Sequence, residues 1–325
     1  MNVLYGLDNN FVPQTATSMM SLCLNNKKAK KINFYLFSCG VSEENKNKLK
    51  KMVKKQKRNI EFIEINNIEE HFNFKFDVTG WPKVTLSRLL MDKLLPKNID
   101  KILYIDGDTI VRGSIETLWN TKMDNSIIAA SIEPTVSKER KERLQMLNYP
   151  YCNAGVMLIN LKLWRQVNAT QLIFDFYKKF NGNLFACDQD AINGSLKEYV
   201  KIISPKYNYF NVFDQYPYYF LRRNVKPAKY ISKKKFMEAR KNPVIIHYLG
   251  EERPWRLGNK HRFRKDFYNY LNQTEWHDMK FEQGWNLYFK CWNIFNLFMK
   301  PFPYLRLKII NSLIPTFLKL RSKKK

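Results

Sequence analysis

Apolar positions fall in short runs divided by polar, turn-forming clusters, and the spacing within the runs alternates between two periods. Residues 3–7 (VLYGL) predict a buried strand ending at Asp8-Asn9-Asn10, and residues 14–24 follow at helical spacing through Thr17, Met20, Ser21 and Leu24. Residues 32–37 (INFYLF) predict a second strand. Ser42-Glu43-Glu44 then opens a very basic helix over roughly 45–58, and residues 60–65 (IEFIEI) alternate as a third strand. Residues 85–95 predict a helix stopped by Pro96, and residues 127–132 and 151–160 predict two more buried strands. Helices are expected over 163–180 and 188–196, and the last clear strand is 244–248 (VIIHY). This alternation, sustained to about residue 260, predicts an α/β fold: a mostly parallel, Rossmann-like sheet with flanking helices and its sites at the carboxyl ends of the strands.

Residues 101–111, KILYIDGDTIV, carry the first chemical signal. An apolar strand runs into Asp106-Gly107-Asp108 and resumes as Thr109-Ile110-Val111. Carboxylates at i and i+2 of an extended chain point to one side, and the glycine between them permits close approach. A hard divalent cation would neutralise the pair and leave coordination positions for phosphate. The alternative is a strand-end turn with two solvated aspartates, since Asp-Gly is an ordinary turn dipeptide. Other strands also end in polar residues: Asp8, Asn9 and Asn10, then Glu133, then Asn153-Ala154-Gly155, and His247 within the last strand. A histidine joining two carboxylates favours Mn²⁺-type chemistry, although a lone His also serves as a hydrogen-bonded core residue. Gly250-Glu251-Glu252-Arg253-Pro254-Trp255 supplies a flexible position, a phosphate-binding guanidinium and an aromatic wall. Asp188-Gln189-Asp190 stands at a helix start, where N-capping is the structural alternative.

With 45% hydrophobic and 15% aromatic residues, and only 11 Gly and 13 Pro in 325, the chain is globular and large enough for one α/β domain with an appendage. The net charge of +27 implies an anionic substrate, a polyanion or an anionic membrane surface, though an AT-rich genome also enriches Lys and Asn. Cys23, Cys39, Cys152, Cys187 and Cys291 are widely spaced with no CxxC pair, so a disulfide framework and a zinc site are not expected and a reducing compartment fits. No secretory signal and no transmembrane run is predicted.

Four blocks occur in order: Asp106-Gly107-Asp108 after KILYI; Asn153-Ala154-Gly155-Val156 with Leu158-Ile159-Asn160-Leu161 and Trp164; Asp188-Gln189-Asp190 with Asn193-Gly194; and His247-Tyr248 with Gly250, Pro254 and Trp255. Together they resemble the retaining family 8 glycosyltransferases, among them bacterial lipooligosaccharide α-galactosyltransferases, over about residues 1–260. The resemblance implies a GT-A fold that binds a UDP-sugar and Mn²⁺, with Mg²⁺ as the alternative ion. It assigns the metal to Asp106, Asp108 and His247, and uridine to Asp8 and Asn10. It places Arg88, Glu133, Asn153, Asp188, Gln189 and Asp190 around the donor sugar, and Gly250 and Arg253 at the diphosphate. This chain departs from bacterial members of the family in having Arg253 where they commonly carry lysine and Glu133 where they carry aspartate.

The implied reaction moves galactose or glucose to a glycan acceptor, a lipooligosaccharide or lipopolysaccharide, with a surface glycoprotein as the alternative. Retention is expected through same-face attack beside Gln189, since an amide oxygen is a poor nucleophile; a covalent step on Asp188 is the other route. Residues 1–265 are expected to form the transferase domain and residues 266–325 a helical, basic and aromatic extension. Single cations Lys290, Lys300, Arg306, Lys308 and Lys319 interrupt its apolar positions, and it ends Arg321-Ser322-Lys323-Lys324-Lys325. That pattern predicts an enzyme peripheral on the anionic inner face of the cytoplasmic membrane, with a helix packed on the main domain as the alternative. A basic nucleic-acid-binding protein is the rival class. The cation-rich stretches 46–58 and 222–241 suggest it, but no nucleic-acid-binding signature accompanies them, so no nucleic acid is expected as a partner.

Overall fold

The computed structural model describes residues 1–78 and 80–322. Its strands are β1 (Asn2–Asp8), β2 (Asn33–Cys39), β3 (Asn59–Glu64), β4 (Lys101–Ile105), β5 (Thr109–Val111), β6 (Ile128–Ile132), β7 (Cys152–Asn160), β8 (Val200–Ile202) and β9 (Ile245–His247). Among the described residues, seven of these form one sheet in the order β3-β2-β1-β4-β7-β6-β8, and β5 pairs with β9 in a separate two-stranded ladder. Within the large sheet only β7 is reversed: it is antiparallel to β4 and β6, while the remaining pairs are parallel.

The central strands β1, β4, β6 and β7 read as nearly continuous apolar runs because both faces of the sheet are covered there. On one face Val3, Tyr5 and Leu7 of β1 pack with Val12, Ala16 and Met19 of the helix Val12–Asn25. On the other, Leu4 and Phe37 join Leu86, Leu89, Tyr104 and Trp164. The helix Val12–Asn25 also buries hydroxyls, and these hold the small ladder in place. Tyr5 is hydrogen-bonded to Ser18 (3.0 Å), Ser18 to Thr109 of β5 (2.8 Å), and the Val111 N–H donates to Ser21 Oγ (2.8 Å).

Several expectations change. The predicted helix over 163–180 breaks at Asn168, whose φ of 51° is left-handed, giving Leu161–Gln166 and Ala169–Lys179. The predicted helix over 85–95 is mostly a 3₁₀ helix, Lys83–Leu90, with one α turn, Met91–Leu94. The hydroxyls of Thr85 and Ser87 donate to carbonyls three residues back, which suits the tighter winding. β8 has three half-buried residues on a sheet edge and carries no periodic signal. The β7 segment is a strand, as expected, but a doubly buried run reads alike in either direction.

Beyond β9, the helix Arg264–Leu271 packs on the core through Phe267 and Leu271. Helices Asn286–Met299 and Pro303–Ser322 follow, as the helical extension predicted. No described helix is long and apolar enough to cross a membrane. The Lys323-Lys324-Lys325 part of the terminal basic run, and the side chains of Lys319 and Arg321, lie outside the described residues.

Candidate functional site

The chain leaves β4 at Ile105, and the Asp106 N–H donates to the Gly155 carbonyl of β7 (2.8 Å). After Gly107 and Asp108 it enters β5, whose register sets Thr109 opposite His247, while the Tyr248 N–H donates to the Asp108 carbonyl (2.9 Å). This pairing brings Asp106, Asp108 and His247 together, so that one ligand atom from each lies within 4.8 Å of the others. His247 Nε2 stands 3.2 Å from Asp108 Oδ1 and 3.8 Å from Asp106 Oδ2. The approach requires glycine at 155, since a Cβ there would overlap His247 Cε1 and lie 2.8 Å from Asp106 Oδ2.

Hydrogen-bond direction then fixes the imidazole. A backbone N–H can only donate, so Gly155 obliges Asn153 to present its oxygen there (2.9 Å). Asn208 must offer its NH₂ to that same oxygen (2.8 Å), which leaves Asn208 Oδ1 facing His247 Nδ1 (3.0 Å). The neutral imidazole therefore carries its proton on Nδ1 and turns the bare Nε2 toward the two carboxylates. Two carboxylate oxygens and one imidazole nitrogen form a donor set that suits a divalent ion of the Mn²⁺ class.

The same asparagine leads to the other wall. Asn153 Nδ2 and Gln189 Nε2 both donate to Glu133 Oε2 at 3.0 Å, and the Ala154 N–H donates to Gln189 Oε1 (2.9 Å). Arg88, buried, lies between the acidic groups: its Nε is 2.5 Å from Asp188 Oδ2 and its Nη1 is 3.2 Å from Asp106 Oδ1. Tyr104 donates to the same Asp106 oxygen (2.6 Å).

The electrostatics follow from burial and these neighbours. Burial alone would raise Asp108, but His247 and Arg253 overcome it and hold the carboxyl below its usual range. Burial alone would lower His247, and the carboxylates of Asp108 and Asp106 reverse that, raising it above 6.5. Asp188 is pushed up to about 6 by burial, against the opposing charge of Arg88.

The remaining sequence candidates divide into rim and wall. Asp8 caps the turn after β1, accepting from the Asn10 N–H (3.0 Å) and Phe11 N–H (3.1 Å), and Asn10 is exposed at that rim. Gly250 adopts φ +84°, which a side chain would strain. Arg253 Nε donates to the Gly250 carbonyl (3.0 Å) and its Nη2 reaches Asp108 Oδ2 at 3.5 Å. Asp190, expected as a substrate contact, is buried. Its Oδ1 accepts from Arg140 and Tyr151 at 2.6 Å each and its Oδ2 from the Ala186 N–H, so its acceptors are occupied inside the wall. Sequence reasoning missed Asn208, Tyr104, Tyr151 and Arg140. Tyr104 was within reach, since it lies two residues before Asp106 on the same strand face.

The cation-rich stretches are paired in part. Lys46 reaches Glu43 and Glu64, Lys48 reaches Glu44, and Lys51 and Lys55 reach Glu275. In the later stretch Arg240 meets Asp214.

Comparison with known proteins gives the following. The sequence profile of glycosyl transferase family 8 matches residues 2–257. General stress protein A of Bacillus subtilis (strain 168) is 26% identical over 282 residues, covering 85% of this chain and 94% of that protein. Lipopolysaccharide 1,2-glucosyltransferase of Escherichia coli (strain K12) is 24% identical over 282 residues, covering 86% of this chain and 79% of that protein. The crystal structure of the galactosyltransferase LgtC with donor and acceptor sugar analogs superposes with a TM-score of 0.72 at 23% identity, over 88% of this chain and 99% of that one. At that identity the likeness shows a shared GT-A fold.

Two outcomes are expected here. Replacing Asn208→Ala frees the imidazole to rotate or change tautomer and is expected to lower Mn²⁺ affinity about 10–100-fold, read by calorimetric titration; unchanged affinity would count against the orientation argument. Raising His247 above 6.5 means that its protonated form stabilises the ion-free protein below that pH, a contribution lost as pH rises through the raised value. A metal needs the neutral ring, so the rise in Tm on adding Mn²⁺ is expected to grow as pH increases through that range and to shrink toward pH 5. A pH-independent shift would show that His247 is not a ligand.

Proposed function

The chain belongs to glycosyl transferase family 8, and on that premise we propose that it moves galactose or glucose from a UDP-sugar, with retention, to a glycan acceptor of the lipopolysaccharide or lipooligosaccharide type. The observation that carries this reading is the meeting of Asp106, Asp108 and His247 at the rim of the sheet with Arg253 facing them. The acceptor class is supported by relatives named lipopolysaccharide 1,2-glucosyltransferase and lipopolysaccharide 1,3-galactosyltransferase.

Mn²⁺ held by Asp106, Asp108 and His247 Nε2 would supply Lewis-acid stabilisation of the charge that develops on a departing diphosphate; Mg²⁺ fits the imidazole less well. Arg253 adds a guanidinium for the same phosphates, and Asp8 and Asn10 take uridine at the neighbouring rim. Arg88, Asp188, Asn153 and Glu133 hold the sugar hydroxyls. Gln189 lines that pocket with its Oε1 accepting from the Ala154 N–H, and an amide oxygen is a poor nucleophile beside a carboxylate. Asp188 is tied to Arg88. Attack by the acceptor on the face that the diphosphate leaves, with the leaving phosphate taking the acceptor proton, needs neither side chain as nucleophile.

Residues 1–265 serve in this reading as the transferase unit and residues 266–325 as its membrane-facing extension. Along Asn286–Met299, Leu287 is 73%, Leu297 71% and Phe298 70% exposed, and Phe302 and Leu305 continue the apolar surface. Leu287, Ile294 and Phe298 fall on one helical face. Lys290, Lys300 and Lys308 flank them, a composition suited to an anionic lipid interface on the cytoplasmic side.

Three measurements test the proposal. Incubation with UDP-galactose, UDP-glucose and UDP-N-acetylglucosamine is expected to release UDP from one hexose donor only when Mn²⁺ is present, and Asp108→Asn is expected to reduce turnover at least about 100-fold; metal-independent turnover, or none with any donor, would refute it. Trapping a glycosylated Asp188 by mass spectrometry would replace same-face attack with double displacement. The chain is also expected to sediment with phosphatidylglycerol vesicles and not with phosphatidylcholine vesicles, and Leu287→Glu combined with Phe298→Glu is expected to release it; equal recovery with both vesicle types would remove the membrane role.

A further inference from the structure

The loop after β9 carries Arg253, and a segment from much later in the chain holds it. The Glu282 N–H donates to the Trp255 carbonyl (2.8 Å) and the Leu257 N–H donates to the Glu282 carbonyl (3.0 Å), a backbone bridge across Arg256. The Glu282 carboxylate grips the same stretch: Oε1 accepts from Trp255 Nε1 (3.1 Å) and Oε2 from Arg256 Nε (2.7 Å). One residue thus makes four hydrogen bonds to three consecutive loop residues. Around it, the Arg256 guanidinium lies 3.8 Å from the centre of the Trp285 ring and pairs with Glu251. A Cβ on Gly258 would stand 2.5 Å from Asn286 Oδ1, so the two segments are in close contact.

Trp255, once placed, transmits the hold. It is buried and meets Phe11 edge-on at 5.9 Å, directly after the Asp8-Asn9-Asn10 rim. The Arg253 guanidinium sits 5.6 Å from the Trp255 ring and 3.5 Å from Asp108 Oδ2. Beside Arg253 the loop has further anchors: Glu252 Oε2 accepts from Asn211 Nδ2 (2.7 Å) and Gln215 Nε2 (2.9 Å), the Arg253 carbonyl accepts from Asn259, and the Pro254 carbonyl accepts from the Tyr268 hydroxyl (2.7 Å). The Glu282 grip adds to this hold from a distant segment and fixes the residues that directly follow Arg253 and Pro254.

We propose that Glu282, which lies beyond the residues 2–257 matched by the family profile, is a positioning residue for phosphate recognition. It orders Trp255, Arg256 and Leu257 in the free protein, so the loop does not have to be ordered when a diphosphate binds. The inference rests on the reading of Arg253 as a diphosphate contact. Because Glu282 acts through Arg253, removing either should abolish the same part of the affinity.

The test is a double-mutant cycle on UDP binding with Mn²⁺, read by calorimetry on the full chain, with the unliganded Tm of each variant measured alongside. Glu282→Ala is expected to weaken UDP on the order of tenfold, with Glu282→Gln falling between it and the wild type because it keeps the Trp255 bond and loses the charge facing Arg256. In an Arg253→Ala background the Glu282→Ala change is expected to cost nothing further. Wild-type affinity in Glu282→Ala, or the same loss in both backgrounds, overturns the inference; if Glu282→Ala does not fold, Glu282→Gln carries the cycle on the same terms. Failure of the wild-type chain to bind UDP is a different result, which removes the nucleotide-sugar reading and this inference together.

Discussion

Two carboxylates at the end of a buried strand repel each other, and much of the site is arranged around that repulsion. At separations near the 4.8 Å limit of the cluster, two unit charges in an effective dielectric of about 20 repel by about 3 kcal/mol, a sizeable part of a domain's net stability. The protein divides the charges between separate partners. Asp106 accepts from Arg88 and Tyr104 on the inner side, while Asp108 faces His247 and Arg253 on the outer side. Each oxygen pair is left with its remaining lone pairs toward the gap between them. A divalent cation placed there converts the repulsion into coordination, which is why the geometry favours a cation over any neutral ligand.

That arrangement works only with the imidazole in one tautomer, and its control begins at a backbone amide. Gly155 determines which way Asn153 points, Asn153 determines Asn208, and Asn208 determines His247. The other arm of Asn153 reaches Glu133, which also receives Gln189. His247 and Gln189 are therefore oriented by one connected network in which each amide has a single satisfactory orientation. Lengthening the family's aspartate to Glu133 is accommodated here because its Oε2 serves both amides.

What could be read in the sequence was whatever local pattern records. The DGD run between apolar stretches, the histidine in a β-branched strand and the acidic helix start each carry their signal within a few residues, and the structure places Asp106, Asp108, His247, Arg88 and Asp188 beside one another. What could not be read depends on pairing between distant segments. Asn208 lies beside His247 only because residues 208–210 run along β9, with the His247 N–H donating to the Tyr209 carbonyl. Asp188 and Asp190 stand together in the Asp188-Gln189-Asp190 block, two residues apart. On a helix that spacing turns side chains by about 200°, so one carboxylate meets Arg88 and the other Arg140. The direction of β7 was equally hidden, since burial on both faces erases the distinction between parallel and antiparallel runs.

The two arginines at the acidic cluster have different freedom. Arg88 is fixed by Asp188 at 2.5 Å, by Asp106 and by the Ala154 carbonyl, in surroundings where removing one partner would strand a buried charge. Arg253 meets Asp108 only at 3.5 Å, the outer limit of a hydrogen bond, and its firmest bond is to the carbonyl of its own loop. On the proposed function, a cation held by Asp108 would weaken the attraction on Arg253 and leave the guanidinium available to phosphate. Arg88 has no comparable release, because Asp188 stays opposite it. On the proposed function, with Arg88 toward the sugar and Arg253 toward the phosphates, a rigid and a lightly held arginine would suit a donor whose sugar is held still while its diphosphate is captured and later released.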